Sequence, residues 1–287
     1  MRFERLASGR LRAELEAIAR AHRGTLGYAI HFRKRDEWAV LKDSEPFPTA
    51  STIKLAILCA AMERIDKGTL KYSETREYTE VDRRGGAGFI QNYKLGTKLE
   101  VKELLHLMIT VSDNTATAMM IRWLGAMEIN SWLERKGFTQ TRLLSQLPAE
   151  QIELKKLGDR WGLGVTTPHE MVQLLELISD GKAASPWACD EMRRILTHQY
   201  FNDLVGKQCP PWISVASKSG AVNRSRSDVA LIAAPSGEIS LAVFTKENVD
   251  QSWTDSNEAE VAIQKISAAV WRYSEPRSRW SAPKPPQ

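Results

Sequence analysis

At 287 residues, with 43% hydrophobic and 26% charged residues, the chain can bury a substantial core and is too ordinary in composition for a fibrous, disordered or disulfide-framed protein. Its net charge of +5 comes from 40 Lys and Arg scattered among 35 Asp and Glu, the pattern of a solvated surface, so no nucleic-acid partner is expected. No stretch reaches the roughly 20 apolar residues needed to cross a bilayer, so no membrane span is expected either.

The N-terminal stretch MRFERLASGRLRAELEAIAR is amphipathic and charged, unlike a secretory signal. The chain is therefore expected to be cytoplasmic, or else a mature periplasmic or secreted form that has lost its signal. Residues 10–22 put Leu11, Leu15, Ile18 and Ala19 on one face and predict a helix. TLGYAIHF (25–32) and EWAVLK (37–42) alternate apolar and polar residues around a short charged turn, which predicts a hairpin. From Phe47 to Val205 the spacing is largely helical, over 52–67, 101–111, 114–124, 128–136, 168–180 and 187–198. Strand patterns return in WISVASKSG (212–220), SDVALIAAP (227–235) and ISLAVFTK (239–246), the last two joined by a turn at Ser236-Gly237. A last helix, 256–272, turns Ala259, Ile263, Ile266 and Val270 inward.

Strands at both ends of a helical middle predict an α/β (α+β) fold. One sheet domain would be built from 1–46 and 206–287, with an all-helical domain, 47–205, inserted between its halves. The basic, Pro- and Ser-rich run from Arg272 to Lys284 is expected to be frayed or disordered from about residue 274.

Cys59, Cys189 and Cys209 are widely spaced with no C-x-x-C, so neither a disulfide framework nor a cysteine metal site is expected, and Cys59 reads as core. His22, His31, His106, His169 and His198 show no metal spacing and no Ser-His-Asp pattern. No metal and no cofactor are expected. GGAGF (85–89) follows no strand and so is not a phosphate loop.

The chemistry gathers elsewhere. Ser51-Thr-Ile-Lys54 places a hydroxyl and an amine three apart, on one face of a helix whose next residues, Leu55 to Ala61, are apolar nearly all round. A lysine facing such an interior is costly unless paired, and desolvation lowers its pKa toward a value useful for taking the serine proton. Ser51 near the helix start would also gain from the positive end of the dipole. Ser-x-x-Lys alone arises by chance in a chain of this size. It is accompanied by Ser112-Asp113-Asn114 between two helical segments and by Lys218-Ser219-Gly220 at the end of a strand.

This set, with its surroundings FPTASTIK, MITVSDNTATAMM, DKG and GVTTPHEM, resembles the signature of the class A β-lactamase and penicillin-binding-protein family over residues 10–273. The resemblance implies a serine β-lactamase-like fold, an antiparallel sheet flanked by helices with a helical domain inserted and the site in the groove between. It implies Ser51 as acylated nucleophile, Lys54 as its base, and Ser112 as the hydroxyl passing a proton to the leaving nitrogen. Asn114 would orient substrate and Lys54, while Lys218 and Ser219 would bind a substrate carboxylate. The oxyanion hole would be the N–H groups of Ser51 and Ala221, with Gly220 small because the chain must come close to substrate. GGAGF would lie beside the active-site rim. The expected partner is a β-lactam or related acyl donor, and a monomer is expected.

Two positions depart from the family pattern. In TRLLSQLPAEQIELKKLGDRWGLGVTTP the family's deacylating glutamate aligns with Leu147, leaving Glu150 and Glu153 as nearby candidates, with surface or capping roles as the alternative. The arginine that supports the carboxylate clamp aligns with Ser227, leaving Arg224 and Arg226 as candidates, again against solvated positions. An esterase, a D-amino-acid peptidase and a penicillin sensor that stays acylated remain open beside a β-lactamase.

Overall fold

The computed structural model describes residues 5–282, so Lys284 lies outside them. Helix α1 (Gly9–Ala21) starts where the Ser8 hydroxyl accepts from the Leu11 N–H, and β1 (Thr25–Phe32) and β2 (Glu37–Leu41) form the expected hairpin. Asp36, at φ 49°, closes their turn. There follow β3 (Phe47–Pro48), a 3-10 turn (Ala50–Ile53) and α2 (Lys54–Asp66), in which every residue from Lys54 to Met62 is buried. The middle of the chain continues through β4 (Thr75–Glu77), β5 (Lys98–Glu100), α3 (Val101–Thr110), α4 (Asn114–Leu124) and α5 (Ala126–Arg135). Then come β6 (Arg142–Leu143), α6 (Ile152–Trp161), β7 (Gly164–Thr166), α7 (Pro168–Ser179) and α8 (Pro186–Leu196). The chain ends in β8 (Val215–Val222), β9 (Ser225–Ile232), β10 (Ile239–Lys246) and α9 (Glu258–Ser274).

The main sheet has the order β2-β1-β10-β9-β8 with every pairing antiparallel, so the first strands close against the last, as when Thr25 faces Lys246. Alternation along the strands divides their side chains between two cores. Leu26, Tyr28, Ile30 and Phe32 of β1 and Ile239, Leu241 and Val243 of β10 face Leu11 and Leu15 of α1 and Ile263, Ile266 and Val270 of α9. Ala29, Val229, Leu231, Ala242 and Phe244 face the other way, onto the core shared by α2, α7 and α8.

The segment 47–205, expected to be wholly helical, also carries strands: β3-β7-β6 form a small sheet and β4-β5 a ribbon. These strands have two or three residues each, too few for alternation to show. Helix α6 was not expected; none of its residues is buried, so it has no stripe turned toward a core. Arg272 to Ser274 complete α9, and Trp280 packs against the α1–α9 core. Cys59, Cys189 and Cys209 are buried and free.

Candidate active site

The segment leading into α2 is held on both sides. Thr49 N–H donates to Gly164 O at 2.9 Å, and Ala50 sits at φ 43°, a conformation rare for a residue with a Cβ. This bend brings Ser51 to the wall of a cavity of about 690 Å³ between α4, the loop around α6, and the β8–β9 end of the sheet. Gly220 of β8 lies against the bend. A Cβ there would come within 2.8 Å of Thr49 O and 3.2 Å of Ala50 Cβ, so its smallness serves the approach of β8 to the segment that carries Ser51.

One turn on, Lys54 is fully buried, and its Nζ donates to Ser112 O (2.7 Å), Ser112 Oγ (3.0 Å) and Asn114 Oδ1 (3.0 Å). Burial pushes its pKa well below the usual lysine value, the charge of Lys218 pushes it further, and Asp113 opposes both. Ser112, at φ 55°, is turned out of α3 so that both its carbonyl and its hydroxyl meet the ammonium.

Asp113 joins three pieces of chain. Its Oδ1 accepts from Ala116 N–H (2.8 Å), capping α4, while Oδ2 accepts from Phe89 N–H (2.7 Å) and Ile90 N–H (3.0 Å). Asn114 completes the tie, its Nδ2 donating to Gly85 O at 2.9 Å and its N–H to Ala87 O at 3.0 Å. Gly88, at φ 106°, could carry no Cβ, which would lie 2.3 Å from Asp113 Cγ. The glycines of GGAGF thus let a loop close over the Asp113 carboxylate, and Arg84 and Gly85 beside it line the cavity.

On β8, Lys218 is fully buried and donates to Ser219 O at 2.9 Å, while Ser219 is half-buried. Burial lowers the Lys218 pKa to about 7, with Asp228 on β9 opposing. Asp228 is itself raised to about 7 by burial; its Oδ2 accepts from Val205 N–H (3.0 Å) and its Oδ1 is buried without a partner. Only the pairing of β8 with β9, Ser219 opposite Asp228, reveals this carboxylate behind the lysine.

Of the residues named from sequence, Ser51, Asn114, Ala221 and Arg224 line the cavity, and Lys54, Ser112 and Lys218 lie buried beneath it. The rest are placed elsewhere. Arg226 is 1% exposed and spends its guanidinium on Glu260 (2.9 Å), on the carbonyls of Val222, Ser225 and Ser252, and on the face of Trp253 (4.3 Å). It ties the β8–β9 turn to α9 and is absent from the cavity wall. Trp253 itself is 65% exposed and covers the Arg226 guanidinium from the solvent side. Ser227 donates to Gly220 O at 3.3 Å. Glu150 and Glu153 are exposed, Glu153 pairing with Lys156 at 2.8 Å, and neither lines the cavity.

A further carboxylate organises the loop that carries them. Buried Glu170 accepts from the N–H groups of Thr139 (2.8 Å), Gln140 (3.0 Å) and Thr141 (2.6 Å), fixing the chain where it enters the loop. Its sequence signal is Thr167-Pro-His-Glu170, a helix start in which the Thr167 hydroxyl accepts from Glu170 N–H.

The arrangement is thus a hydroxyl on a cavity wall, a buried amine of lowered pKa one turn behind it, and a second hydroxyl bonded to that amine. Such a set can move a proton from a nucleophile to a leaving group. Comparison with known proteins gives the chain a family. The sequence pattern described as "Beta-lactamase enzyme family" matches residues 10–274. Beta-lactamase VEB-1 of Pseudomonas aeruginosa is 24% identical over 92% of this chain and 90% of its own. The crystal structure of a beta-lactamase from Sphaerobacter thermophilus superposes with a TM-score of 0.81 at 25% identity, covering 93% of this chain and 98% of that one. A leucine-to-glutamate variant of PBP-A, solved as its acyl-enzyme complex with penicillin G, gives a TM-score of 0.83 at 24% identity over 96% of this chain and 100% of its own.

Proposed function

Since the chain belongs to the beta-lactamase enzyme family, a family of hydrolases, we propose that it transfers acyl groups from β-lactams through a covalent ester on Ser51 and releases them slowly. The observation that carries this reading is the bonding of Lys54, whose buried Nζ meets both Ser112 and Asn114 one turn from Ser51.

As an ammonium, Lys54 spends all three protons on Ser112 O, Ser112 Oγ and Asn114 Oδ1. As a neutral amine, the form that burial favours, it keeps two of these bonds and offers a lone pair to the Ser51 hydroxyl. Ser51 Oγ then bonds to the lactam carbonyl carbon and the C–N bond breaks. The serine proton passes by Lys54 Nζ and Ser112 Oγ to the leaving nitrogen. The N–H groups of Ser51 and Ala221 would hold the developing oxyanion, and Ser219, with Lys218 behind it, the substrate carboxylate.

Release is the weak step. A positioned base is worth roughly a hundred- to ten-thousand-fold in attack by water. Among the described residues the one carboxylate on the cavity wall is that of exposed Glu247, and Leu147 packs against the main core. This favours a long-lived acyl-enzyme, the state in which a sensor would also function. Penicillin G is a suitable probe, since the PBP-A variant of similar fold carries it as an acyl-enzyme. Peptide mapping after mixing is expected to place the adduct on the peptide containing Ser51, with none in Ser51→Ala and a greatly slowed reaction in Lys54→Ala. An adduct that persists in Ser51→Ala would overturn the assignment.

A further inference from the structure

The cavity carries more positive charge than one substrate carboxylate requires. Arg84, Arg160, Arg224 and Lys246 line it, against the single carboxylate of Glu247. Lys246 is accounted for, paired with Glu45 at 2.6 Å and donating to Pro46 O. Arg224, at the β8–β9 turn, stands on the same wall as Ala221, next to the end of β8 where the first carboxylate would sit. Arg84 and Arg160 come from two other walls, one before the glycine loop tied to Asn114, the other at the end of α6.

Neither of these two has a carboxylate within salt-bridge distance among the described residues, yet both are held. Arg84 Nη1 donates to Val81 O (2.9 Å) and Arg83 O (2.8 Å), and the Arg160 guanidinium stacks 4.5 Å from the centre of the Trp161 ring. Elsewhere in the molecule guanidiniums held by neighbours meet carboxylates, as Arg122 does with Asp82 and Arg226 with Glu260. Cations of one sign around a concave low-dielectric site focus their field on whatever enters it, and a planar guanidinium matches a carboxylate in particular.

We infer that the acyl donor of this groove carries more than one anionic group, the second lying on its acyl side chain and received by Arg84 and Arg160. The inference rests on the acyl-transfer reading above and names the class of donor: dianionic amides of the β-lactam type, with one carboxylate at Ser219 and another beyond the scissile bond. Ser145, Gln146 and Thr117, also on the cavity wall, are uncharged.

Two penicillins that differ by one carboxylate test it, benzylpenicillin and α-carboxybenzylpenicillin. Their second-order rate constants for acylation of the full chain are measured by intact mass at low salt and at high salt. The α-carboxy compound is expected to react about ten-fold faster or more at low ionic strength, and its lead should collapse as salt screens the pair. Arg84→Gln and Arg160→Gln should each shrink the ratio of the two rates, and the double variant should bring it near one. Arg160, exposed on α6, provides a variant whose folding is not in question. Equal rates, or a ratio unmoved in the double variant, would overturn the inference while leaving Ser51 acylation standing. Absence of any adduct with either penicillin would remove the acyl-transfer reading and this inference with it.

Discussion

Lys54 and Lys218 are both buried amines of lowered pKa, but their proposed tasks need opposite charge states. Lys54 must be neutral to take the Ser51 proton, so acylation should rise with pH through its depressed pKa. Lys218 must be cationic to attract a carboxylate, and its pKa near 7 means the charge is present below about 7 and lost above it. Burial raises Asp228 as well, so its opposing charge on Lys218 weakens as pH falls. The half-saturating concentration for a carboxylated donor should therefore rise as pH passes 7, while that for a neutral p-nitrophenyl ester should not. Parallel pH profiles for the two donors would show that Lys218 has some other task. Lys218→Ala should show the same split, weakening the carboxylated donor far more than the ester. At Leu147, substitution to Glu is expected to speed release of a penicilloyl adduct at least about ten-fold, read as the decay of the adduct mass. An unchanged decay would place the deacylation site elsewhere. Ser51, Lys54, Ser112 and Asn114 were legible because their triplets state both residue type and spacing. Asp228, Glu170 and the structural use of Arg226 were not, because each depends on a partner more than twenty residues away that only strand pairing or loop closure brings near.

At the scale of elements, long periodic segments could be read almost to the residue, as TLGYAIHF and ISLAVFTK coincide with β1 and β10. Elements without a buried face could not, and α6 and the two-residue strands are the cases in point. The loop over Asp113 belongs with these, since its glycines record a close approach to a carboxylate and not a period. Asp113→Ala would leave the Phe89, Ile90 and Ala116 N–H groups without their partner. The expected loss is about 2–4 kcal/mol in urea unfolding, together with slower acylation because Asn114 loses its support. Stability within about 0.5 kcal/mol of the parent would mean the loop is held by other contacts.

For the whole molecule, the N-terminal hairpin pairs with the C-terminal strands, so the sheet closes only when both ends of the chain have been made. We propose that the two parts expected from sequence, the sheet domain and the inserted middle segment, share a core. Helix α7 lies in the middle segment, yet its Met171, Leu174 and Leu175 share a core with Val229 and Phe244 of the sheet. The segment that carries Ser51 stands where these parts meet, between Gly164 of β7 and Gly220 of β8. A covalent intermediate that forms faster than it leaves would show in the time course of ring opening with a chromogenic cephalosporin. A burst of about one equivalent of opened ring per chain is expected, followed by a much slower steady rate. A linear course of many equivalents with no burst, or no ring opening at all, would contradict it.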